Sequence, residues 1–295
     1  MGRKTALPLK WVMNKVLMSV IYSAKILPFD ARSALGAKIT GGFGGRLSGF
    51  RKRTERNLEY IWPDKPQAER DAITDQVLDN AGRTIFENFY PADFGKHHPA
   101  VRVWGEGLPA LMQAHASGRS IVLVSGHFGN HEAMRLGLFQ HGIKVGGMYR
   151  PMTNPYFNVF YEKALDQDGR SGPLFTASRA GTRGFRRALK EGNVCLALLV
   201  DLAVPKGSEI SFMGKPAMTA TSAAAFALEA DALYLPYFSM RNPDRKSFSI
   251  EIDTPIEGSD ALEMTQKATR ALEERIEQDP GNWFWVHRRW KPFFK

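Results

Sequence analysis

The chain has 295 residues, 43% hydrophobic and 24% charged, with a net charge of +10 and a single cysteine, Cys195. That length suits one large α/β domain or two small ones, and the composition excludes extended disorder, a disulfide framework and a cysteine-based metal site. The charge is uneven: residues 1–60 hold twelve Lys/Arg against three acids and the last nine residues four against none, so an anionic partner, nucleic acid or anionic lipid, is expected at the termini.

Residues 8–29 place Val12, Met13, Val16, Leu17, Val20, Ile21 and Ile26 around a polar stripe of Asn14, Lys15, Ser19, Ser23 and Lys25 at helical spacing. Lys15 and Lys25 interrupt the apolar stretch, which argues against a secretory signal and against a spanning helix of about 20 mainly apolar residues. A helix lying in a membrane interface, with Trp11 at its edge, fits the pattern; so does an amphipathic helix packed on the domain. Gly41-Gly42-Phe43-Gly44-Gly45 makes a joint or a close backbone approach, and Arg51-Lys52-Arg53 is either a phosphate-binding triplet or a solvated helix face. Residues 1–60 are therefore expected to be a basic, amphipathic, membrane-associated segment, and residues 61–295 the α/β domain.

Two helical runs fill residues 54–90, around Pro63 and Pro66. His97 and His98 fall in an expected surface loop. A short strand follows at 101–104 and a helix at 107–117. From residue 120 strands alternate with helices: strands 120–125, 144–149, 173–176 and 194–200, with helices 128–141, 155–166 and 181–190. Helix 219–230, strands 233–240 and 247–253 and helix 259–278 complete the pattern. It implies a mainly parallel sheet covered by helices on both faces, made mixed by an antiparallel final hairpin around Asn242-Pro243-Asp244.

Ligands of such sheets collect at the carboxyl ends of the strands. The residues expected there are His127, Arg150 and Asp201, with Glu132 in the first turns of the following helix. Arg170 and the loop Ser211–Ala217, which contains Gly214, are placed to close over them. A neutral histidine can take a proton from an alcohol, and a carboxylate can fix its tautomer. Residues five apart on one helix point about 140° apart, so pairing His127 with Glu132 requires His127 to sit on the Ser125-Gly126 turn before the helix. No Gly-x-Ser-x-Gly elbow occurs, which favours direct attack by an acceptor hydroxyl over an acyl-enzyme. His127 and His131 have metal-ligand spacing, but His-Glu-x-x-His is absent and no third ligand stands nearby, so no metal is expected.

Gly126-His127-Phe128-Gly129-Asn130-His131-Glu132 resembles the H-x4-D/E signature of the glycerolipid-type acyltransferases, and in particular that of the late acyltransferases of lipid A biosynthesis. Arg56-Asn57-Leu58 with Trp62-Pro63, Tyr149-Arg150-Pro151 with Asn154-Pro155, Gly169-Arg170, Asp201, Phe212–Ala217 and Trp283–Lys291 resemble further family segments, in order, over about 240 residues. The chain departs from the pattern at Leu202, where the family has Gln, at Met213, where it has Phe, and in a more polar N-terminal helix.

The resemblance implies His127 as base, Glu132 as its orienting partner, and Arg150, Arg170, Asp201 and Gly214 as substrate-binding or positioning residues. It implies no cofactor. The donor would be an acyl thioester of acyl-carrier protein or CoA, and the acceptor a lipid hydroxyl, at the cytoplasmic face of a bacterial inner membrane. The basic termini agree with an anionic membrane surface and an acidic carrier. The closing aromatic and basic segment fits either an interfacial belt or a docked core element. A lyso-aminolipid or lysophospholipid is the competing acceptor. A non-catalytic lipid or nucleic-acid binder is the reading from another class, and against nucleic acid stand the apolar N-terminal helix and the lack of a recognised motif.

Overall fold

A computed structural model describes residues 7–166, 169–290 and 293. Six helices open the chain: α1 (Leu7–Ala24), α2 (Phe29–Gly41), α3 (Phe43–Leu47), α4 (Phe50–Ile61), α5 (Gln67–Glu87) and α6 (Pro91–His97). Strands and helices then alternate as β1 (Arg102–Trp104), α7 (Leu108–Ala116), β2 (Ile121–Ser125), α8 (His131–Gln140), β3 (Val145–Tyr149), α9 (Pro155–Asp166), β4 (Leu174–Thr176), α10 (Arg179–Glu191) and β5 (Cys195–Leu199). The chain continues through β6 (Ser208–Phe212), β7 (Lys215–Thr219), α11 (Ser222–Glu229), β8 (Leu233–Arg241), β9 (Phe248–Ile252) and α12 (Ala261–Gln278), then a 3₁₀ turn at Pro280–Asn282.

Seven strands form one sheet in the order β1-β9-β8-β2-β5-β3-β4. All neighbours run parallel except β8 and β9, so the expected mixed sheet with a final antiparallel hairpin is present. β2 is central and buried at every position. Its alternation divides the core: Ile121 and Leu123 pack on one face with Leu111, Ala133 and Leu136, and Val122 and Val124 on the other with Phe185, Ala223 and Met264. Helices thus cover both faces.

A third apolar cluster lies beyond the carboxyl end of β2. There α4, α5 and α12 meet the closing segment through Leu58, Val77, Phe128, Leu272, Trp283, Trp285 and Trp290. Trp283, Trp285, Arg289 and Trp290 are fully buried, so the closing segment as far as Trp290 is a docked core element and not an interfacial belt; Lys291, Phe294 and Lys295 lie outside the described residues. Arg289 lies against the Phe212 ring and donates to the carbonyls of Leu202 (3.1 Å) and Met218 (2.8 Å) and to the Thr219 hydroxyl. Burial pulls its guanidinium down to a pKa of about 10.

The structure corrects two local expectations. The segment Ser211–Ala217 is not a loop over the strand ends but part of the antiparallel β6–β7 hairpin. Gly214, at φ +68°, is its exposed turn residue, while Phe212 stacks on Trp290 at 5.5 Å. His98 is buried among Phe29, Phe94 and Phe248 and not on the surface; burial holds its imidazole down to about 4. The glycine-rich stretch after residue 40 is as expected: Gly42 is the joint between α2 and α3, and the backbone approaches closely at Gly45, where a Cβ would strike the Thr40 carbonyl.

Among the described residues, no helix is long and apolar enough to cross a membrane. α1 buries only Ile21 and Ala24 and is tied to the domain near its start, where Lys10 and the Thr153-Asn154 segment exchange two 2.9 Å hydrogen bonds. Leu9, Val12, Met13, Val16 and Val20 stay exposed.

Candidate active site

β2 delivers the chain into the turn Ser125-Gly126, and α8 begins only at His131, so His127 stands on the connection before the helix, at the expected place. Two glycines shape this connection. Gly126 lets Asp201 approach: a Cβ there would lie 3.0 Å from Asp201 Oδ2 and 2.6 Å from the Leu272 side chain. Gly129 has φ +60°, and a Cβ on it would strike the Ser239 carbonyl.

The carboxylate that holds His127 is Asp201, two residues beyond the end of β5. Parallel pairing sets Ser125 opposite Leu199, so the two strand ends emerge side by side. Asp201 Oδ1 lies 2.7 Å from His127 Nδ1, and Oδ2 accepts the His127 backbone N–H at 2.7 Å and the Trp283 indole N–H at 2.9 Å. Burial alone would raise the Asp201 carboxyl. The His127 charge, with the hydrogen bonds from His127 and Trp283, brings it down to about 2 instead. Burial likewise disfavours the imidazolium, but the Asp201 charge and hydrogen bond prevail, and the His127 pKa lies above its ordinary value. With Nδ1 donating to Asp201, Nε2 is left with the lone pair. His127 lines a cavity of about 190 Å³ with Ile85, Asn88, His131 and Phe284.

Glu132, expected to orient His127, is engaged elsewhere. Arg135, one turn on, donates to it at 2.8 Å, and His131 Nε2 lies 3.4 Å away. Burial opposes ionisation of Glu132, yet Arg135 and His131 hold its pKa below the usual carboxylate range. Arg135 is itself fixed by the carbonyls of Leu165 (2.7 Å) and Val145 (3.3 Å) and by the Ser171 hydroxyl. Glu132 and His131 form the polar edge of a second cavity, of about 270 Å³, otherwise walled mainly by Phe89, Phe157, Phe160 and Leu165. Ile85, Asn88 and His131 line both cavities, so an apolar recess adjoins the imidazole.

The other expected site residues do not gather on His127. Arg150 is exposed at the end of β3, separated from β2 by β5. Arg170 turns to α6 and donates to the Pro91 carbonyl at 2.8 Å. Gly214 is the hairpin turn described above.

Residues that the sequence reading passed over complete the site. Asn130 caps α8 by accepting the Glu132 N–H at 3.0 Å, and its amide donates to Glu87 at 2.9 Å. Glu87 is fully buried in a two-pronged pair with Arg241 (2.8 and 2.7 Å) and also accepts from Ser33. Burial would raise its carboxyl, but Arg241, Ser33 and Asn130 hold it down. Phe284 donates its N–H to the His127 carbonyl at 2.9 Å. The Asn130 capping pattern, an Asn two residues before Glu132, was a local signal; the Glu87–Arg241 pair, 154 residues apart in sequence, left none. Among the described residues, no group of three His, Cys, Asp or Glu side chains is placed to hold a metal ion.

A family model described as bacterial lipid A biosynthesis acyltransferase matches residues 3–292. The chain is 28% identical over 246 residues to a lipid A biosynthesis acyltransferase of Haemophilus influenzae, covering 80% of this chain and 76% of that one. It is 27% identical to the lipid A biosynthesis lauroyltransferase of Escherichia coli, covering 96% and 91%. It is 22% identical to the myristoyltransferase of the same organism, covering 83% and 77%. The chain belongs to the bacterial lipid A biosynthesis acyltransferase family and is an acyltransferase.

The two carboxylates are expected to separate kinetically. A base must be neutral, so kcat should rise with pH along a limb set by His127, above the ordinary histidine value of about 6.5. Asp201→Asn removes what raises that pKa and leaves the lowering effect of burial. The limb should move to lower pH while the plateau falls by about 10²-fold or more. Glu132→Gln should lower activity without moving the limb. pH–rate profiles of the two variants against the unsubstituted chain check this.

Proposed function

We propose that this acyltransferase moves a fatty acyl chain from a thioester of acyl-carrier protein or CoA onto a hydroxyl of a lipid acceptor of the lipid A precursor type. The observation that carries the reading is the His127–Asp201 pair opening beside an apolar recess, in a chain matched almost throughout by the family model. The names of its relatives support the acceptor class.

In this reading His127 Nε2 takes the proton of the acceptor hydroxyl as the hydroxyl oxygen attacks the thioester carbonyl carbon. Asp201 stays ionised, fixes Nδ1 as the proton-bearing nitrogen and balances the imidazolium. The tetrahedral intermediate collapses with cleavage of the C–S bond. The imidazolium returns its proton to the departing sulfur, giving an ester and a free thiol. The cavity walled by Phe89, Phe157, Phe160 and Leu165 takes the acyl chain, since an apolar wall with a polar mouth suits a hydrocarbon whose reactive end must reach the base. Glu132 acts through His131, which it fixes at the junction of the two cavities.

The same reading puts the chain on the anionic, cytoplasmic face of a bacterial inner membrane, with α1 lying in the interface. The exposed apolar residues of α1, beside Lys10 and Lys15, have the composition of an interfacial helix. The bonds between Lys10 and Thr153-Asn154 set this helix beside the segment that supplies Met152 to the apolar recess. A helix lying in lipid would thus bring that recess close to its substrates.

Full-length protein on anionic vesicles, given a labelled acyl thioester and a panel of lipid acceptors, tests the chemistry. Label is expected in a lipid A precursor, and His127→Ala should cut transfer by about 10²–10⁴-fold while the protein stays folded. Transfer only to a lyso-aminolipid or lysophospholipid would move the acceptor assignment, and undiminished transfer by His127→Ala would end the base assignment. For the membrane contact, Val12→Glu with Val16→Glu should abolish co-flotation with anionic vesicles without lowering the melting temperature; unchanged flotation contradicts an interfacial α1.

A further inference from the structure

The basic triplet at the start of α4 is not uniform. Arg51 is neutralised by Asp75 at 2.5 Å and by Glu55 at 3.7 Å. Arg53, two residues on, has no carboxylate partner among the described residues. Its Nε donates to the Val286 carbonyl at 2.9 Å, and its guanidinium lies against the Phe50 ring. Arg53 is thereby fixed to the closing segment, which also forms the back of the active site. In that segment Trp283 bonds Asp201, Phe284 bonds the His127 carbonyl, and Asn57 clamps the carbonyls of Trp285 and His287 at 2.6 and 2.7 Å.

The Asn57 clamp and the Arg53–Val286 bond fix this stretch against α4, so Arg288, exposed and without a carboxylate partner among the described residues, follows two residues after the carbonyl that anchors Arg53. The two guanidiniums repel: burial and the Arg288 charge together hold Arg53 below its ordinary pKa. His287, just before Arg288, has a buried Nδ1 with no hydrogen-bond partner among the described residues, and burial above all holds its imidazole below the ordinary value. No ion pair joins a carboxylate to Arg53 or Arg288 among the described residues, and Asp201 is committed to His127 and Trp283. A pair of unbalanced guanidiniums, at a segment whose backbone is fixed by Arg53 and Asn57 and whose Phe284 bonds the His127 carbonyl, is the arrangement that a phosphate oxyanion relieves.

We propose that Arg53 and Arg288 form a phosphate-binding subsite at the edge of the His127 site, holding a phosphate ester of one of the substrates during acyl transfer. It rests on the acyl-transfer reading only for which substrate carries the phosphate. Both substrate classes carry such groups: a carrier or CoA thioester through its pantetheine phosphate, a lipid acceptor through its headgroup. Sequestered there, the phosphate would set the register of the rest of the substrate against Nε2.

Two experiments on the full-length chain in detergent test it. The first is calorimetric titration with inorganic pyrophosphate, which needs no turnover. Arg288→Gln, at an exposed residue with no described hydrogen bond, should weaken binding by about tenfold or more, as expected for loss of a charge-assisted contact. Arg53→Lys should weaken it less, because the charge remains while the fork is lost, and Arg187→Gln on the far helix α10 should bind as the unsubstituted chain does. Equal binding by Arg288→Gln and the unsubstituted chain overturns the proposal. The second is steady-state kinetics of Arg288→Gln with acyl-CoA, with the phosphate-free acyl-N-acetylcysteamine thioester, and with phosphorylated and unphosphorylated acceptors. A KM raised about tenfold for acyl-CoA but not for the phosphate-free thioester assigns the phosphate to the donor. A raised KM for phosphorylated acceptors alone assigns it to the acceptor. KM values raised equally for phosphate-bearing and phosphate-free substrates contradict the subsite. If the unsubstituted chain shows no transfer to any acceptor, the functional reading fails while the pyrophosphate titration still decides the subsite.

Discussion

Everything at the site depends on one hydrogen-bonded pair, the half-buried His127 with the buried Asp201. Taking a carboxylate out of water is costly, and the structure offsets that cost with three donors on Asp201: the imidazole N–H, the His127 backbone N–H and the Trp283 indole. The result is an imidazole whose tautomer and orientation are both fixed and whose proton affinity is raised. The parallel register of β2 and β5 places the pair, since it brings the two strand ends out side by side. A sheet in another order would separate the partners, however suitable the residues.

Two supports keep the pair in place from opposite sides. Below the start of α8, Glu87 and Arg241 form a buried pair that anchors Asn130, and Asn130 fixes the first turn of the helix. Behind His127, the closing segment inserts three tryptophans between α4, α5 and α12 and bonds the imidazole's own backbone through Phe284. Removing either partner of a buried pair such as Glu87–Arg241 typically costs about 3–5 kcal/mol, because the other charge is left uncompensated. Segments remote in the sequence are in this sense parts of the candidate site.

The sequence carried most of the fold. Alternation of strands and helices after residue 120 located each central strand to within a residue or two, because fully buried strands leave continuous apolar runs bounded by turns. It also placed His127 on the Ser125-Gly126 turn, although through a pairing with Glu132 that the structure replaces with Asp201. What it did not carry was the choice of carboxylate. Glu132 was near in sequence and Asp201 was 74 residues away, and only strand order decides which of them meets the imidazole. Arg135, three residues after Glu132, was the local hint that Glu132 already had a partner. The closing segment was ambiguous for a similar reason. Tryptophans beside arginines compose both an interfacial belt and a core element capped by a buried arginine, and only packing separates them.

The pairing of His127 with Asp201 is most directly tested by ¹⁵N NMR of the imidazole in the full-length chain, titrated through neutral pH. The expected spectrum shows a neutral His127 with its proton on Nδ1, a downfield Nδ1 proton held by Asp201, and a titration midpoint above about 6.5; in Asp201→Asn that midpoint falls. A neutral imidazole protonated on Nε2, or a midpoint that Asp201→Asn leaves in place and Glu132→Gln moves, would contradict the account.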